Sequence, residues 1–275
     1  MKMTINCKGT LIDLTSPKVM GILNITPDSF FDGGKYKNEK EILDQVAKML
    51  KEGATFIDVG AYSSRPGAKP VSETEELQRI VPVIKLLVKH FPDIIISIDS
   101  FRSKVVEESV NAGAAIINDI SGGILGDEMF NTAAKLQVPY IMMHMQGTPE
   151  NMQANPVYKD VVVEITSFFA KQLVKLRQLK VNDVIIDVGF GFGKTINHNY
   201  ELLQNLALFK SLEVPVLTGV SRKSMLYKLL KISPKEALNA TTVANTIALL
   251  NGTSILRVHD VKEAMEAINI VNQLQ

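Results

Sequence analysis

Short apolar runs alternate with longer amphipathic stretches along the whole chain. The runs cover residues 19–23, 56–59, 94–98, 115–117, 140–143, 184–186, 214–217 and 255–258. Each is short and rich in Ile, Val or Phe, the pattern of a parallel strand buried on both faces. The stretches between them carry helical spacing. Ile42, Val46, Met49 and Leu50 form one set. Leu77, Ile80, Val81, Ile84, Leu87 and Val88 form a second, and Val161, Ile165, Phe168, Phe169, Leu173 and Leu176 a third. Asn38 with Glu41, Ser72 with Glu75 and Ser233 with Glu236 read as capping boxes that start helices, the last with Pro234 at the tolerant first position. Gly53 and Gly113 stand where helices should end.

Eight strand–helix repeats predict an α/β fold, a closed (β/α)8 barrel at the C-terminal rim of which an active site would lie. Residues 4–7 and 10–12, joined around Gly9, predict a short hairpin covering the barrel bottom. The alternative is an open doubly wound sheet, but no GxGxxG opens a first helix. A barrel of this kind needs about 250 residues. The 275 residues, with no linker or low-complexity segment, are therefore read as one domain spanning 1–275.

Composition narrows the function. A net charge of +1 argues against nucleic acid and membrane surfaces as partners. Any anionic ligand must then be met by a local cluster of cations. The one cysteine, Cys7, excludes an internal disulfide framework and reads as an ordinary buried or half-buried thiol. The first residues lack the apolar core of a secretory leader, and no apolar run reaches the roughly 18 residues of a membrane span. These features predict a cytoplasmic protein.

The ends of the eight strands supply Asn24, Asp58, Asp99, Asn118, His144, Asp187, Thr218, Arg257 and His259. Carboxylates that follow directly on apolar runs are costly unless partnered. Two carboxylates and an amide suit a flat ligand rich in N–H donors, and charge-assisted hydrogen bonds contribute roughly 1.5–3 kcal/mol each. Lys223, Arg257, His259 and Arg65 supply the opposite sign for an anionic leaving group. The loop at 24–34 (NITPDSFFDGG) is long, as functional lids often are. That at 60–67 (GAYSSRPG) sets hydroxyls beside a cation. The glycines of 187–194 (DVGFGFGK) suit either a phosphate loop or a tight strand-to-helix turn. Lys223 is either a ligand residue or surface decoration, and His144 either a site residue or part of the core. No metal cage of His, Cys and carboxylates is legible, so a structural zinc is not expected. A Mg²⁺ held mainly by substrate phosphates needs only one or two protein oxygens, and Asn24 can provide one.

The ordered motifs resemble those of the dihydropteroate synthases over nearly the whole chain. They are MGILNITPDSF at 20–30 with DGG at 32–34, SRPGA at 64–68, SIDS at 97–100, IINDIS at 116–121 and MHM at 143–145. GFGK at 191–194, SRKS at 221–224 and RVHD at 257–260 complete them. The resemblance implies condensation of 6-hydroxymethyl-7,8-dihydropterin diphosphate with p-aminobenzoate by an SN1-like substitution, with Mg²⁺ as cofactor. It implies that Asp99, Asn118, Asp187 and Lys223 bind the pterin, with Met143 packed against it. Asn24 would touch Mg²⁺. Arg257 and His259 would bind the diphosphate with Asn24, Asp32, Ser64 and Arg65. Phe30, Ser64, Pro66, Phe192, Lys223 and Ser224 would shape the p-aminobenzoate pocket. Lys223, Arg257, His259, Asp99 and Asp187 would carry catalysis, and the chain would pair as a homodimer through its outer helices. Three residues depart from the family pattern: Tyr62 stands where an acid is usual, Val188 where Pro is, and Val220 where Thr is. A pterin-binding methyl-transfer module on the same barrel and a non-catalytic pterin-binding paralogue are the rival activities.

Overall fold

The computed structural model describes residues 3–25, 35–62, 71–125, 128–148, 151–152 and 155–274. Two strands, β1 (Thr4–Cys7) and β2 (Thr10–Asp13), pair antiparallel. The eight that follow are β3 (Lys18–Asn24), β4 (Phe56–Gly60), β5 (Ile96–Asp99), β6 (Ile116–Asp119), β7 (Tyr140–Met143), β8 (Val184–Asp187), β9 (Val216–Thr218) and β10 (Ile255–Val258). All pair parallel with their sequence neighbours, and β10 closes on β3 to complete a barrel. Between them run α1 (Lys35–Lys51), α2 (Glu73–His90), α3 (Ser103–Ala112), α4 (Met129–Leu136), α5 (Val161–Gln178) and α6 (Ile196–Gln204). α7 (Ser224–Leu230), α8 (Leu238–Leu250) and α9 (Val261–Val271) complete the set.

Strand alternation separates two cores. Val19, Leu23, Ile57, Val59, Ile98, Ile117, Met142, Ile186 and Leu256 face outward and pack with the helices. The other parity faces inward. Met20, Phe56, Ile116, Ile141, Ile185, Leu217 and Ile255 fill the lower barrel, where Ile5, Cys7 and Leu14 of the N-terminal hairpin join them. The hairpin thus caps the barrel bottom. Burial and the nearby Asp183 carboxylate push the Cys7 thiol up to about 12, so it stays a neutral core residue.

The helix signals hold with one shift. Ser72 Oγ accepts the Glu75 N–H at 3.2 Å, but the box is only half made, because the Glu75 carboxylate turns to Arg79. Ser233 and Glu236 form a reciprocal box around a single 3₁₀ turn. Gly113 ends α3 with φ 127°, a conformation that favours glycine. Asn38 is not a cap, since α1 already begins at Lys35. Nothing in Lys35, Tyr36 or Lys37 stops a helix, so it extends back toward Gly34.

Candidate active site

One inward position above the apolar layer, the same parity delivers polar groups. In register, Asp58 lies beside Ser97, Gly60 beside Asp99, Asp99 beside Asn118 and Met143 beside Asp187. Arg257 follows Ile255 on the inward face of β10. Gly60 and Gly219 hold inward positions without side chains. A Cβ on Gly60 would lie 3.3 Å from Asp99 Cβ, and one on Gly219 3.9 Å from Asp187 Oδ2. Their bareness leaves room among the carboxylates.

Arg257 sits at the centre of this layer. Its Nε donates to Asp58 Oδ2 at 2.6 Å and its Nη2 to Asp99 Oδ2 at 2.7 Å. Burial works against the guanidinium charge, but Asp58 and Asp99 outweigh it and hold the proton more firmly than usual. Asn118 Nδ2 donates to both oxygens of Asp58, at 3.2 and 3.1 Å. Burial pushes the Asp99 carboxyl up to about 7, against the pull of Arg257 and with the help of Asp58. Asp187 is raised by burial too, although Lys223 and the Gly189 N–H, 2.8 Å from Oδ1, favour its charge. Carboxyls raised by burial and clustered with cations mark a candidate ligand site.

The cationic side comes from the loops after β8, β9 and β10. Lys223 Nζ donates to the Phe190 carbonyl and lies 4.7 Å from the centroid of the Phe192 ring. Burial lowers its ammonium to about 8, while Asp187 resists that fall. It is half-buried and turned in among the rim groups, not exposed as surface decoration. Ser224, half-buried, follows it as the first residue of α7. Ser221 Oγ accepts the His259 backbone N–H at 3.2 Å and meets the His259 Nδ1 at 2.9 Å. The two contacts hold the imidazole ring of His259 against the loop after β9. Arg222 grips Asp260 through two hydrogen bonds of 2.8 Å. The loops carrying Lys223 and His259 are thereby stitched together.

Met143 joins Ile120, Met145 and Met152 in a small apolar cluster, against which Phe101 and Phe192 pack. A flat ring entering the carboxylate layer has this cluster as its neighbour. His144 is 8% exposed and belongs to the core. Its Nδ1 lies 3.1 Å from the Nζ of Lys194, which also donates to the His144 and Phe192 carbonyls at 3.2 and 2.9 Å. That ammonium fixes the glycine-rich turn from inside. Burial lowers it to about 7. The 187–194 segment is thus a braced strand-to-helix turn.

The structure brings together Asp99, Asn118, Asp187, Arg257, Lys223, Met143 and Phe192, with His259 on an adjoining loop and Ser224 at the start of α7. Asn24 ends β3 in register with Gly60, beside Asp99. Phe30, Asp32, Ser64, Arg65 and Pro66 lie outside the described residues. Two members were not assigned from the sequence. Asp58 was legible as a polar strand end, and its parity with Phe56 marks it as inward. Lys194 had no signal beyond its place after the glycines.

The sequence pattern of the pterin binding enzyme family matches residues 20–259. The chain belongs to that family. The dihydropteroate synthase of Escherichia coli is 43% identical over 271 residues, which is 98% of this chain and 95% of that one. The dihydropteroate synthase of Haemophilus influenzae is 44% identical over 272 residues, 98% of each chain. Among solved structures, the Yersinia pestis dihydropteroate synthase with a sulfonamide drug superposes with a TM-score of 0.92 at 43% identity, covering 99% of both chains. The Xanthomonas albilineans enzyme with 4-aminobenzoic acid gives a TM-score of 0.92 at 35% identity, over 100% of this chain and 99% of that one.

Proposed function

We propose that this barrel joins 6-hydroxymethyl-7,8-dihydropterin diphosphate to p-aminobenzoate, releasing 7,8-dihydropteroate and diphosphate. The observation that carries the proposal is the inward layer of Asp99, Asn118 and Asp187 around Arg257, with Lys223 beside it. Three oxygen-bearing side chains converge where a donor-rich heterocycle can satisfy them. Relatives that align over nearly the whole chain carry the name dihydropteroate synthase.

The residues divide the work by charge. Asp187, Asn118 and Asp99 accept from the N–H edge of the pterin, Lys223 donates to it, and Met143 packs against its face. Arg257 and His259 face the diphosphate with Asn24, Asp32, Ser64 and Arg65. Phe192, Lys223 and Ser224 border the arylamine, and the family resemblance assigns Phe30, Ser64 and Pro66, outside the described residues, to the same pocket. The bond between the pterin methylene carbon and diphosphate oxygen breaks first. Its electron pair leaves with the diphosphate, and the ring nitrogens delocalise the cation left behind. Asp99 and Asp187 favour that cation, while Lys223, Arg257 and His259 favour the departing anion. At about 4 Å and an effective dielectric near 20, one charge pair is of order 4 kcal/mol before desolvation. A net differential gain of about 1.4 kcal/mol is already tenfold in rate. The neutral arylamine nitrogen then closes the C–N bond and releases a proton to diphosphate or water, so no strong base is required.

Asn24 is half-buried, and its side chain makes no hydrogen bond among the described residues. An uncommitted amide oxygen fits a Mg²⁺ that arrives with the substrate phosphates. Bound there, Mg²⁺ would supply further positive charge to the diphosphate oxygens.

Assembly and compartment extend the proposal. Leu229 and Leu230 of α7, Val243, Ile247 and Leu250 of α8 and Ile270 of α9 are exposed on neighbouring outer helices. They support a homodimer formed there, which sedimentation velocity checks directly. Among the described residues no helix is long and apolar enough to cross a membrane. That, with a single buried cysteine, supports a cytoplasmic location.

A coupled assay of diphosphate release tests the activity. Release should require the pterin diphosphate and p-aminobenzoate together. Binding of pterin without p-aminobenzoate-dependent release would overturn it in favour of a binding module.

A further inference from the structure

Asp58 is fully buried, on the inward face of β4 and one inward position below Gly60. No substrate atom can reach it, yet it touches two residues that the proposed function places against substrate. Its two oxygens receive Asn118 Nδ2 at 3.2 and 3.1 Å, and one of them receives Arg257 Nε at 2.6 Å. A carboxylate paired with a guanidinium can only accept. The NH₂ of Asn118 must therefore face Asp58, and the planar amide turns Oδ1 the other way. Oδ1 has no partner among the described residues, and it is not one of the buried atoms that lack one. It is therefore open to the ligand space. The same argument applies to Arg257. Asp58 takes Nε and Asp99 takes Nη2, which leaves Nη1 without a partner among the described residues.

We propose that Asp58 is a positioning residue for both ends of the substrate. It presents the carbonyl oxygen of Asn118, and not its NH₂, to the pterin. It turns Arg257 so that Nη1 is left to donate to the diphosphate. One buried carboxylate thus makes an ambiguous amide into a fixed acceptor and aims the principal cation. This rests on the assignment of the pterin to Asn118 and Asp187 made above.

The test is an amide–carboxylate exchange between positions 58 and 118. Asp58→Asn leaves one oxygen to serve both Asn118 and Arg257, and places an NH₂ against one of these donors. Asn118→Asp sets two carboxylates against each other. Each should weaken binding of the pterin diphosphate at least tenfold by calorimetry. In the doubly substituted chain the amide at 58 donates to the carboxylate at 118 and its oxygen still accepts from Arg257 Nε. The second oxygen at 118 then keeps an acceptor toward the ligand. Affinity should return to within about threefold of the unsubstituted enzyme, a coupling that two independent packing defects would not produce. Losses that simply multiply in the double variant, or a wild-type affinity in Asp58→Asn, would overturn the positioning role alone. An unsubstituted enzyme that does not bind the pterin diphosphate would overturn the functional assignment with it. Should Asp58→Asn not fold, the unsubstituted enzyme still decides the matter. A neutron structure of the pterin-bound enzyme should show the Asn118 NH₂ deuterons directed at Asp58 and none directed at the pterin, and deuterons directed at the pterin would end the proposal.

Discussion

A step of two positions along a strand leads from Phe56 to Asp58, from Ile116 to Asn118, from Ile185 to Asp187 and from Ile255 to Arg257. Both members of each pair face the barrel interior. Phe56, Ile116 and Ile185 are sealed from solvent, and Asp58, Asn118 and Asp187 are nearly as deeply buried, at 0%, 4% and 5% exposure. The lower layer meets burial with matching chemistry. The upper layer meets it with groups that burial penalises, offset by Arg257, by Lys223 and by hydrogen bonds. Equal burial therefore carries opposite meaning. Below it stabilises the fold, and above it holds polar groups short of full satisfaction until a ligand completes them.

The largest effect expected from breaking this contrast lies in the lower layer. Phe56→Ala should cost about 3–5 kcal/mol of unfolding free energy in urea titration, from lost transfer energy plus the cavity left behind. The folded fraction should keep its affinity for the pterin diphosphate within about twofold. A small stability loss paired with a large affinity loss would mean that the two layers are not separate.

The upper layer should respond the other way. Asp187→Asn replaces an acceptor with a donor at the proposed pterin edge, without changing volume. Pterin-diphosphate affinity should fall at least tenfold by calorimetry, about 1.4 kcal/mol. The melting temperature should fall little or rise, since burial already disfavours the charge on Asp187. Unchanged affinity would remove Asp187 from the pterin site.

This division also explains what the sequence disclosed. The eight strands were legible because a parallel strand buried on both faces must be a continuous run of Ile, Val and Phe. Strand starts were less so. The apolar run at 214–217 begins before β9, since Pro215 has no N–H for the ladder, which opens at Val216. The rim residues were legible as polar groups set against apolar runs. Their partners were not, because Arg257 and Asp58 are 199 residues apart in sequence. Only barrel closure between β10 and β3 brings them together. Lys194 was illegible for the same reason, since one of its acceptors, the His144 carbonyl, lies just past β7, 50 residues away.

Proton linkage sharpens the contrast by a smaller margin. Burial raises Asp99 to about 7 and lowers Lys223 to about 8. With Asp99 ionised and Lys223 protonated as the competent form, kcat/KM for the pterin diphosphate should rise through about pH 7 and fall above about pH 8. Each limb should approach tenfold per pH unit. Stability follows from the same shift. The folded state holds a proton on Asp99 that the unfolded chain has lost above about pH 4. That contribution is present at low pH and disappears as pH rises through about 7. Asp99→Asn should remove the acid limb and flatten the stability profile between pH 4 and 7. An acid limb that survives the substitution would assign it to another group.

The smallest expected effect is an absence in the free enzyme. The described residues contain no group of three or more His, Cys, Asp or Glu side chains placed to hold a metal. The carboxylates of the upper layer are engaged elsewhere: Asp58 and Asp99 by Arg257, Asp187 by the Gly189 N–H. Among the described residues Asn24 and Asn118 each offer one unpartnered neutral side-chain oxygen, far short of the near-octahedral oxygen shell that Mg²⁺ demands. Titrating Mg²⁺ into the free enzyme should therefore give no resolvable heat at millimolar concentrations. With diphosphate present, its oxygens and Asn24 would share the ion, and Arg257 and His259 would hold the anion. Binding should then become measurable and should weaken severalfold in Asn24→Ala. Tight Mg²⁺ binding to the free enzyme would mean that the upper layer already contains a metal site and is not waiting for a substrate to complete it.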